Sequence, residues 1–208
     1  MFYELYSKRK QVRWYDQDRT PDKSIVDAAL RGAYEAVASK QNLMPYKIYV
    51  INNNQVINQK LYDVSQDVLP TKSANYNLLT APYQFIYTVR LAGGNSKVKE
   101  WVTSGHLQPC MNPDQYKDRF VIKNTNLEIG MHATVLTKLL VEQGIDVSYT
   151  LCFPSNMPND SVWKDSAFTF LEDEVQFIMS AGYEDPERYY DSEQDKPNYN
   201  QVVQWIED

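Results

Sequence analysis

The clearest hydrophobic periodicity in the chain lies in TPDKSIVDAALRGAYEAVA, residues 20–38. Apolar residues recur there three and four positions apart, which is the spacing of one face of an α-helix. Thr20 is a favourable N-cap, Pro21 suits the first helical position, and Asp22 suits the positive end of the helix dipole. The pattern therefore predicts a helix over residues 21–37.

Four other segments have the short apolar or alternating pattern of β-strands. They are YKIYVINN (46–53), APYQFIYTVRL (81–91), DVSYTLCFP (146–154) and VQFIMSAGY (175–183). The second is apolar along its length and is closed by Gly93 and Gly94. A helix is expected over residues 55–68, between the first two strands.

A long helix is predicted over residues 127–143, and its apolar residues lie on every side. Such a helix is buried all round, either centrally or against a partner subunit. Gly144 follows it in the position where glycine commonly ends a helix. The polar segment 95–123 before it is expected to be a loop with a short helix, long enough to act as a lid.

These elements predict an α+β fold in a single domain spanning residues 1–208. Residues 1–6 are a further helix candidate, and residues 184–208 form a polar C-terminal extension with a small apolar face. The formal net charge of −6 argues against a general nucleic-acid or anionic-membrane binder. Two cysteines make no disulfide framework, and no secretory or membrane-spanning segment is recognised, so a cytoplasmic protein is expected.

One stretch departs from this acidic balance. SKRKQVRWY (7–15) contains Lys8, Arg9, Lys10 and Arg13. A charge run of this kind is often a solvated face, but arginine also offers a planar fork of donors that matches phosphate oxygens. In an extended chain, Arg9, Gln11 and Arg13 would point to the same side, which suits a single phosphate group.

A second polar stretch is ASKQNLMPY, residues 38–46, between the predicted helix and strand. Ser39, Lys40 and Asn42 supply several hydrogen-bonding groups in a few residues. The stretch is either an ordinary loop or the contact of a planar cofactor, because an amide can both donate to and accept from a heterocycle.

Motifs for other chemistries are absent from the sequence. It has no HExxH, CxxC, GxGxxG, GxxxxGK[ST] or GxSxG motif, so no metal site is predicted. His132 lies inside the apolar helix and is expected to be packed or hydrogen-bonded rather than catalytic.

Taken in order, these stretches resemble the FMN-dependent nitroreductase family. The resemblance rests on RKQVRWY (9–15), ASKQNLMPYKIYVI (38–51), APYQFIYTVR (81–90), EIGMHATVLTKLLVEQGI (128–145), DVSYTLCFP and the ending AGYEDPERYY. It is poor over residues 95–123, where such proteins have a variable lid. Gln11 replaces the usual serine and Ala38 the usual proline. Met44 and Tyr46 replace glutamine and tryptophan, and Leu151-Cys152 stand where many members have Glu-Gly.

The resemblance implies a central, mostly antiparallel sheet flanked by helices, and a homodimer with a swapped C-terminal tail. It implies FMN as cofactor, held by a set of residues taken over from the family's motifs. NADH or NADPH would reduce the flavin, and a nitroaromatic, quinone or activated alkene would accept hydride by a ping-pong mechanism. No catalytic acid or base is expected, since flavin N5 carries the hydride. The implied set is Arg9, Lys10, Gln11, Arg13, Ser39, Lys40, Asn42, Thr150, Leu151, Cys152 and Lys196.

Two alternatives remain open at the level of sequence. A protein of this fold could perform other flavin chemistry, such as dehalogenation, flavin breakdown or dehydrogenation. It could also bind flavin without being an enzyme.

Overall fold

The computed structural model describes residues 11–37, 44–66, 75–89, 119–151, 153, 163, 166–171, 175–188 and 199–202. The first periodic segment forms helix α1, Lys23–Ala36. Its N-cap is Asp22, whose Oδ1 accepts a hydrogen bond of 2.7 Å from the backbone N–H of Ser24. The prediction of Thr20 as the cap is wrong. The Thr20 hydroxyl instead accepts from Asn53 Nδ2 at 3.0 Å, so it ties the start of α1 to another loop.

All four predicted strands are present, and they form one antiparallel sheet in the order β1-β2-β4-β3. The predicted fold class is thereby confirmed. The strands are β1 Tyr46–Asn52, β2 Tyr83–Val89, β3 Asp146–Thr150 and β4 Val175–Gly182. The remaining helices are α2 Gln55–Gln66, α3 Tyr76–Thr80, α4 Arg119–Glu142, α5 Tyr199–Val202 and a 3-10 turn at Ser166–Phe168.

Helix α4 is longer than its apolar pattern suggested. It begins at Arg119, so the last five residues of the segment predicted as a lid are helical. Gly144 has φ +72°, the left-handed conformation that glycine adopts most easily, and this confirms the predicted helix end.

The first face of the sheet is covered by α1 and α4. Side chains alternate along a strand, so every second residue of β2 points to this face, including Phe85 and Tyr87. They pack against Leu136 and Leu140 of α4 and Ala33 of α1, and all five are buried. This layer is the larger apolar core. The apolar residues of α1 and α4 repeat at helical spacing because one side of each helix packs into it.

The second face of the sheet is divided into an apolar and a polar half. Ile86 and Ile178 pack there against α2 through Leu61, together with Trp163 and Phe168. Beyond these isoleucines the same face carries buried polar side chains, because Gln84 pairs in register with Ser180, and Ser180 with Ser148. The expectation that the second strand is apolar along its length is wrong at Gln84 and at Thr88, which are both buried polar residues.

Several expectations fall outside the part of the chain that the structure describes. These are the helix at residues 1–6, the segment 95–118 and most of the C-terminal extension. Among the described residues, no helix is both long and apolar enough to cross a membrane.

Candidate functional site

The stretch after the predicted phosphate-binding arginines is fixed to the end of β4. Tyr15 forms an isolated antiparallel bridge with Glu184. On either side of it, the backbone N–H of Asp16 donates to the Tyr183 carbonyl at 2.8 Å, and that of Asp185 donates to the Trp14 carbonyl at 3.0 Å. Residues 14–16 are therefore held by backbone contacts to residues 183–185, just beyond the end of β4.

Two regions predicted from the sequence to form the site, the one around Gln11 and the one around Thr150, meet near the end of β3. Gln11 Nε2 donates a hydrogen bond of 2.8 Å to the backbone carbonyl of Tyr149, near the end of β3. Val12 is buried, whereas Gln11 and Arg13 are half-buried. Gln11 thus lies beside the end of β3, 138 residues away in sequence.

At that exit, Thr150 and Leu151 have opposite environments. Thr150 is buried, and its Oγ1 accepts a hydrogen bond of 2.9 Å from Asn77 Nδ2. Leu151 is 69% exposed. An exposed aliphatic side chain next to a polar segment is a suitable surface for the apolar side of a planar ligand.

Beneath these residues lies a network of buried hydrogen bonds, which we call the polar cluster: Tyr15, Asn77, Gln84, Ser148, Thr150 and Ser180. Asn77 Nδ2 also donates to Ser180 Oγ at 3.1 Å, and Ser180 Oγ donates to Gln84 Oε1 at 2.7 Å. Gln84 Nε2 donates to the carbonyls of Asn77 and Leu78 at 3.1 and 2.9 Å. These contacts join β2, β4 and β3 to helix α3.

Tyr15 links the polar cluster to the N-terminal segment. Its hydroxyl donates to the Ser180 carbonyl at 3.1 Å and lies 3.0 Å from Ser148 Oγ. Its backbone N–H donates to Thr80 Oγ1 at 3.1 Å. Because buried polar groups are costly unless they are paired, these bonds favour one position of the segment.

An aromatic stack supports the same segment from the other side. The rings of Trp14 and Tyr76 lie 3.8 Å apart at 22°, and the rings of Tyr76 and Tyr62 lie 5.3 Å apart at 21°. The Arg188 guanidinium lies 5.0 Å from the Trp14 centroid, within the range of a cation–π contact. Trp14 therefore has a fixed orientation beside Arg13.

Sequence reasoning did not identify these supporting residues. The one available signal was the presence of polar residues within apolar strands, namely Gln84, Ser148 and Ser180. No sequence pattern indicated that Asn77 or Tyr76 would lie against the two halves of the site. The other predicted ligands lie outside the described residues: Arg9, Lys10, Ser39, Lys40, Asn42, Cys152 and Lys196.

His132 has the packed role that the sequence predicted. It is buried in α4, and its Nδ1 lies 3.0 Å from the Tyr87 hydroxyl. Its ring also packs against Tyr46, with the centroids 5.6 Å apart. Burial lowers the pKa of His132 to about 4, so the imidazole is neutral at pH 7. Burial likewise raises the pKa of Tyr46 to about 12.

Comparison with protein families gave no matching family model, and comparison with curated proteins gave no match. Solved structures do match. A protein of Exiguobacterium sibiricum, assigned as a nitroreductase and solved in complex with FMN, has a TM-score of 0.70 and 14% identity, with 99% of this chain and 97% of that chain covered. A nitroreductase family protein of Streptococcus pneumoniae has a TM-score of 0.64 and 17% identity, with 99% and 100% covered.

A third similar structure is a protein of Staphylococcus epidermidis assigned as an NAD(P)H:FMN oxidoreductase. It has a TM-score of 0.60 and 15% identity, and 99% of this chain and 96% of that chain are covered. Likeness at these identities establishes the fold: this chain has the fold of nitroreductase structures. The fold expected from the ordered sequence stretches is thereby confirmed.

Proposed function

We propose that this protein is an FMN-dependent oxidoreductase that uses NADH or NADPH. The observation that carries the proposal is the contact of Gln11 with Tyr149, which places the Gln11–Arg13 segment beside the exit of β3. The structural neighbours support it, since one was solved with FMN and another is assigned as an NAD(P)H:FMN oxidoreductase. The whole chain, residues 1–208, is proposed to form one domain.

The described residues fit this cofactor in their chemistry. Arg13 carries a guanidinium suited to a phosphate group, and Gln11 carries an amide beside it. Leu151 offers exposed apolar surface at the other end of the contact. When bound, FMN supplies hydride transfer from NAD(P)H to an electrophilic acceptor, such as a nitroaromatic, a quinone or an activated alkene. The chain binds and orients the reactants, and no side chain is assigned a proton-transfer role.

The remaining ligands are proposed from the resemblance. Arg9 and Lys10 would complete the phosphate site with Lys196, and Cys152 would lie beside Leu151. Ser39, Lys40 and Asn42 would contact the flavin bound by a partner subunit. Consumption of reduced nicotinamide fits a cytoplasmic location.

Analysis of the purified full-length protein tests the cofactor. We expect a flavin absorption spectrum, release of FMN on denaturation with about one per chain, and bleaching by NADH or NADPH under anaerobic conditions. Extraction of FAD instead, or no flavin bound by folded protein even after incubation with FMN, would contradict the proposal. Binding of FMN without bleaching by either nicotinamide would favour a flavin-binding protein or different flavin chemistry.

Substitution of Arg13 tests the phosphate site. Arg13→Ala removes a charge-assisted hydrogen bond worth about 1.5–3 kcal/mol, so FMN affinity should fall about tenfold or more. Arg31→Ala is the matched control, because Arg31 is exposed on α1 and pairs with Asp27 at 2.7 Å. Isothermal titration of the apoprotein with FMN measures both, and equal affinities in the two variants would show that Arg13 is not a ligand.

A homodimer is proposed from the outer surface of α4. Leu127 and Met131 lie one helical turn apart and are 64% and 43% exposed, whereas the opposite face of α4 is buried. Exposed apolar residues at this spacing are typical of an interface. Leu127→Lys combined with Met131→Lys should give a monomer in sedimentation experiments, and Val56→Lys, at an exposed position on α2, should leave the dimer intact. A monomeric unaltered protein that binds FMN would contradict the dimer.

A further inference from the structure

Helix α3 has only five residues, yet it touches both halves of the candidate site. Tyr76 stacks on Trp14 with ring centroids 3.8 Å apart, and Thr80 Oγ1 accepts from the backbone N–H of Tyr15. Asn77, between them, donates to Thr150 at the exit of β3. The helix therefore connects the Gln11–Tyr15 segment to the end of β3, at Thr150 and Leu151.

The hydrogen bonds of the polar cluster have directions that follow from its chemistry. Gln84 Nε2 contacts two main-chain carbonyls, which only accept, so this atom must be the amide nitrogen. Gln84 Oε1 is then an acceptor, and Ser180 Oγ must give its one proton to it. Asn77 must in turn donate to Ser180 Oγ, which fixes its side-chain amide with the nitrogen toward Ser180 and Thr150.

The hydroxyl oxygen of Thr150 is held in one position as a consequence. It accepts a hydrogen bond from Asn77 Nδ2, which also donates to Ser180 Oγ. The Asn77 amide therefore cannot rotate without losing both hydrogen bonds. Asn77 and Thr150 are both buried. Asn77 is therefore shielded from any ligand and acts on the site through Thr150.

We propose that Asn77 is a positioning residue for the cofactor. It holds Thr150, and with it the backbone leading to Leu151, at a set position relative to the Gln11–Tyr15 segment. This inference rests on the proposed function, because it assumes that FMN binds between these two elements. Sub-ångström placement of a supporting shell strongly affects binding and reaction.

Asn77→Ala and Asn58→Ala form a matched pair of variants. Asn58 is an equally buried asparagine whose Nδ2 donates to the Ala81 carbonyl at 2.9 Å, and among the described residues its side chain makes no hydrogen bond to Thr150 or to residues 11–15. We expect both full-length variants to melt at lower temperature than the unaltered protein. Only Asn77→Ala should weaken FMN binding, by about tenfold, measured by titration well below either melting temperature.

Thr150→Val keeps the shape of the side chain and removes the oxygen that accepts from Asn77. It should also weaken FMN binding, and the double variant Asn77→Ala/Thr150→Val should bind no more weakly than the weaker single variant, because both changes break one contact. If Asn77→Ala does not fold, the FMN affinity of Thr150→Val tests the contact between Asn77 and Thr150 by itself. The visible spectrum of bound FMN should shift in both variants and stay unchanged in Asn58→Ala.

The outcomes separate this inference from the proposed function. If the unaltered protein binds FMN but Asn77→Ala and Thr150→Val bind it with unchanged affinity, the positioning role is refuted and the proposed function stands. An equal loss of affinity in Asn58→Ala would show a general effect of stability and would also refute it. If the unaltered protein binds no FMN, both proposals fail.

Discussion

The two faces of the sheet are stabilised by different forces. The first face is covered by α1 and α4, and its core residues, such as Phe85, Tyr87 and Leu136, are buried and apolar. The second face is apolar only in the half that meets α2, and its other half is the polar cluster beneath the candidate site. Apolar packing tolerates small shifts because it is not directional, whereas hydrogen bonds fix distance and angle.

This difference indicates a division of roles. The first face holds the larger apolar core of the described residues, and buried apolar area is the dominant favourable contribution to folding. The polar cluster adds little net stability, because its groups exchange water for each other. Its contribution is a defined geometry at the exit of β3. Changes on the first face should therefore alter stability, and changes in the polar cluster should alter ligand affinity.

The largest effect is expected for Leu136→Ala on the first face. Leu136 is fully buried, so its truncation leaves a cavity and should lower the free energy of unfolding by about 2–5 kcal/mol. Urea denaturation followed by circular dichroism measures the loss. Val56→Ala, at an exposed position on α2, should stay within about 0.5 kcal/mol of the unaltered protein. A large change in FMN affinity of the still-folded Leu136→Ala protein would break the proposed division.

The next largest effect is the pH dependence contributed by His132, also on the first face. Its pKa is about 4 in the folded protein and about 6.5 when unfolded, so between these values the unfolded state binds more protons. The free energy of unfolding should therefore fall as pH drops from 7 to 4, by about 2–3 kcal/mol from this group. The stability is fully present above pH 6.5.

His132→Gln isolates this contribution, because the glutamine does not titrate. The difference in unfolding free energy between His132→Gln and the unaltered protein should change with pH over this window and be constant above it. A difference that does not depend on pH would show that His132 is accessible to protons in the folded state.

A pair of glycines compares the two regions directly. A Cβ on Gly182 would lie 2.6 Å from Pro82 Cδ and 2.8 Å from Tyr15 Cδ1, so Gly182→Ala should cost about 1–3 kcal/mol and displace Tyr15. Gly144→Ala meets no atom within 4 Å but strains a positive φ, at about 1–2 kcal/mol. Thermal melts should show similar losses. Only Gly182→Ala should also weaken FMN binding. Equal FMN affinities of the two variants would contradict the role of Tyr15 in holding the N-terminal segment at the site.

The smallest effect on stability is expected for two tyrosine hydroxyls. Tyr15→Phe removes the contacts with Ser148 and Ser180, and Tyr83→Phe removes a bond of 3.2 Å to the Pro21 carbonyl. Each should lower the free energy of unfolding by about 1 kcal/mol. FMN affinity should fall for Tyr15→Phe and stay unchanged for Tyr83→Phe. A reversed order in titrations would place the sensitive region on the first face.

Much of the fold could be predicted from the sequence. The strands were predicted at β1 to β4 because runs of β-branched and aromatic residues are rare outside sheets. Helix α1 was predicted because its apolar residues repeat at helical spacing, and its cap was misplaced by two residues because Thr20 and Asp22 are both good caps. The start of α4 was missed because its apolar residues Phe120, Val121 and Ile122 are consecutive and four polar residues follow them, so no helical spacing is visible before Leu127.

The site was predicted only in part. The basic stretch drew attention to Gln11 and Arg13, since a local positive charge in an acidic chain suggests an anion. Asn77 gave no such signal, because a single asparagine in a short polar segment is common in loops. Its partners Thr150 and Ser180 lie 73 and 103 residues away.

The sequence by itself determined the four strands, helices α1 and α2 and the later part of α4, because these depend on the local repeat of apolar residues. It also predicted that Arg13 and Gln11 would share one side of an extended segment. Only the tertiary structure decided that Gln11 reaches Tyr149 and that Asn77 reaches Thr150. The physical reason is that strand order and register bring distant residues within hydrogen-bonding distance, and no local pattern of residues encodes that distance.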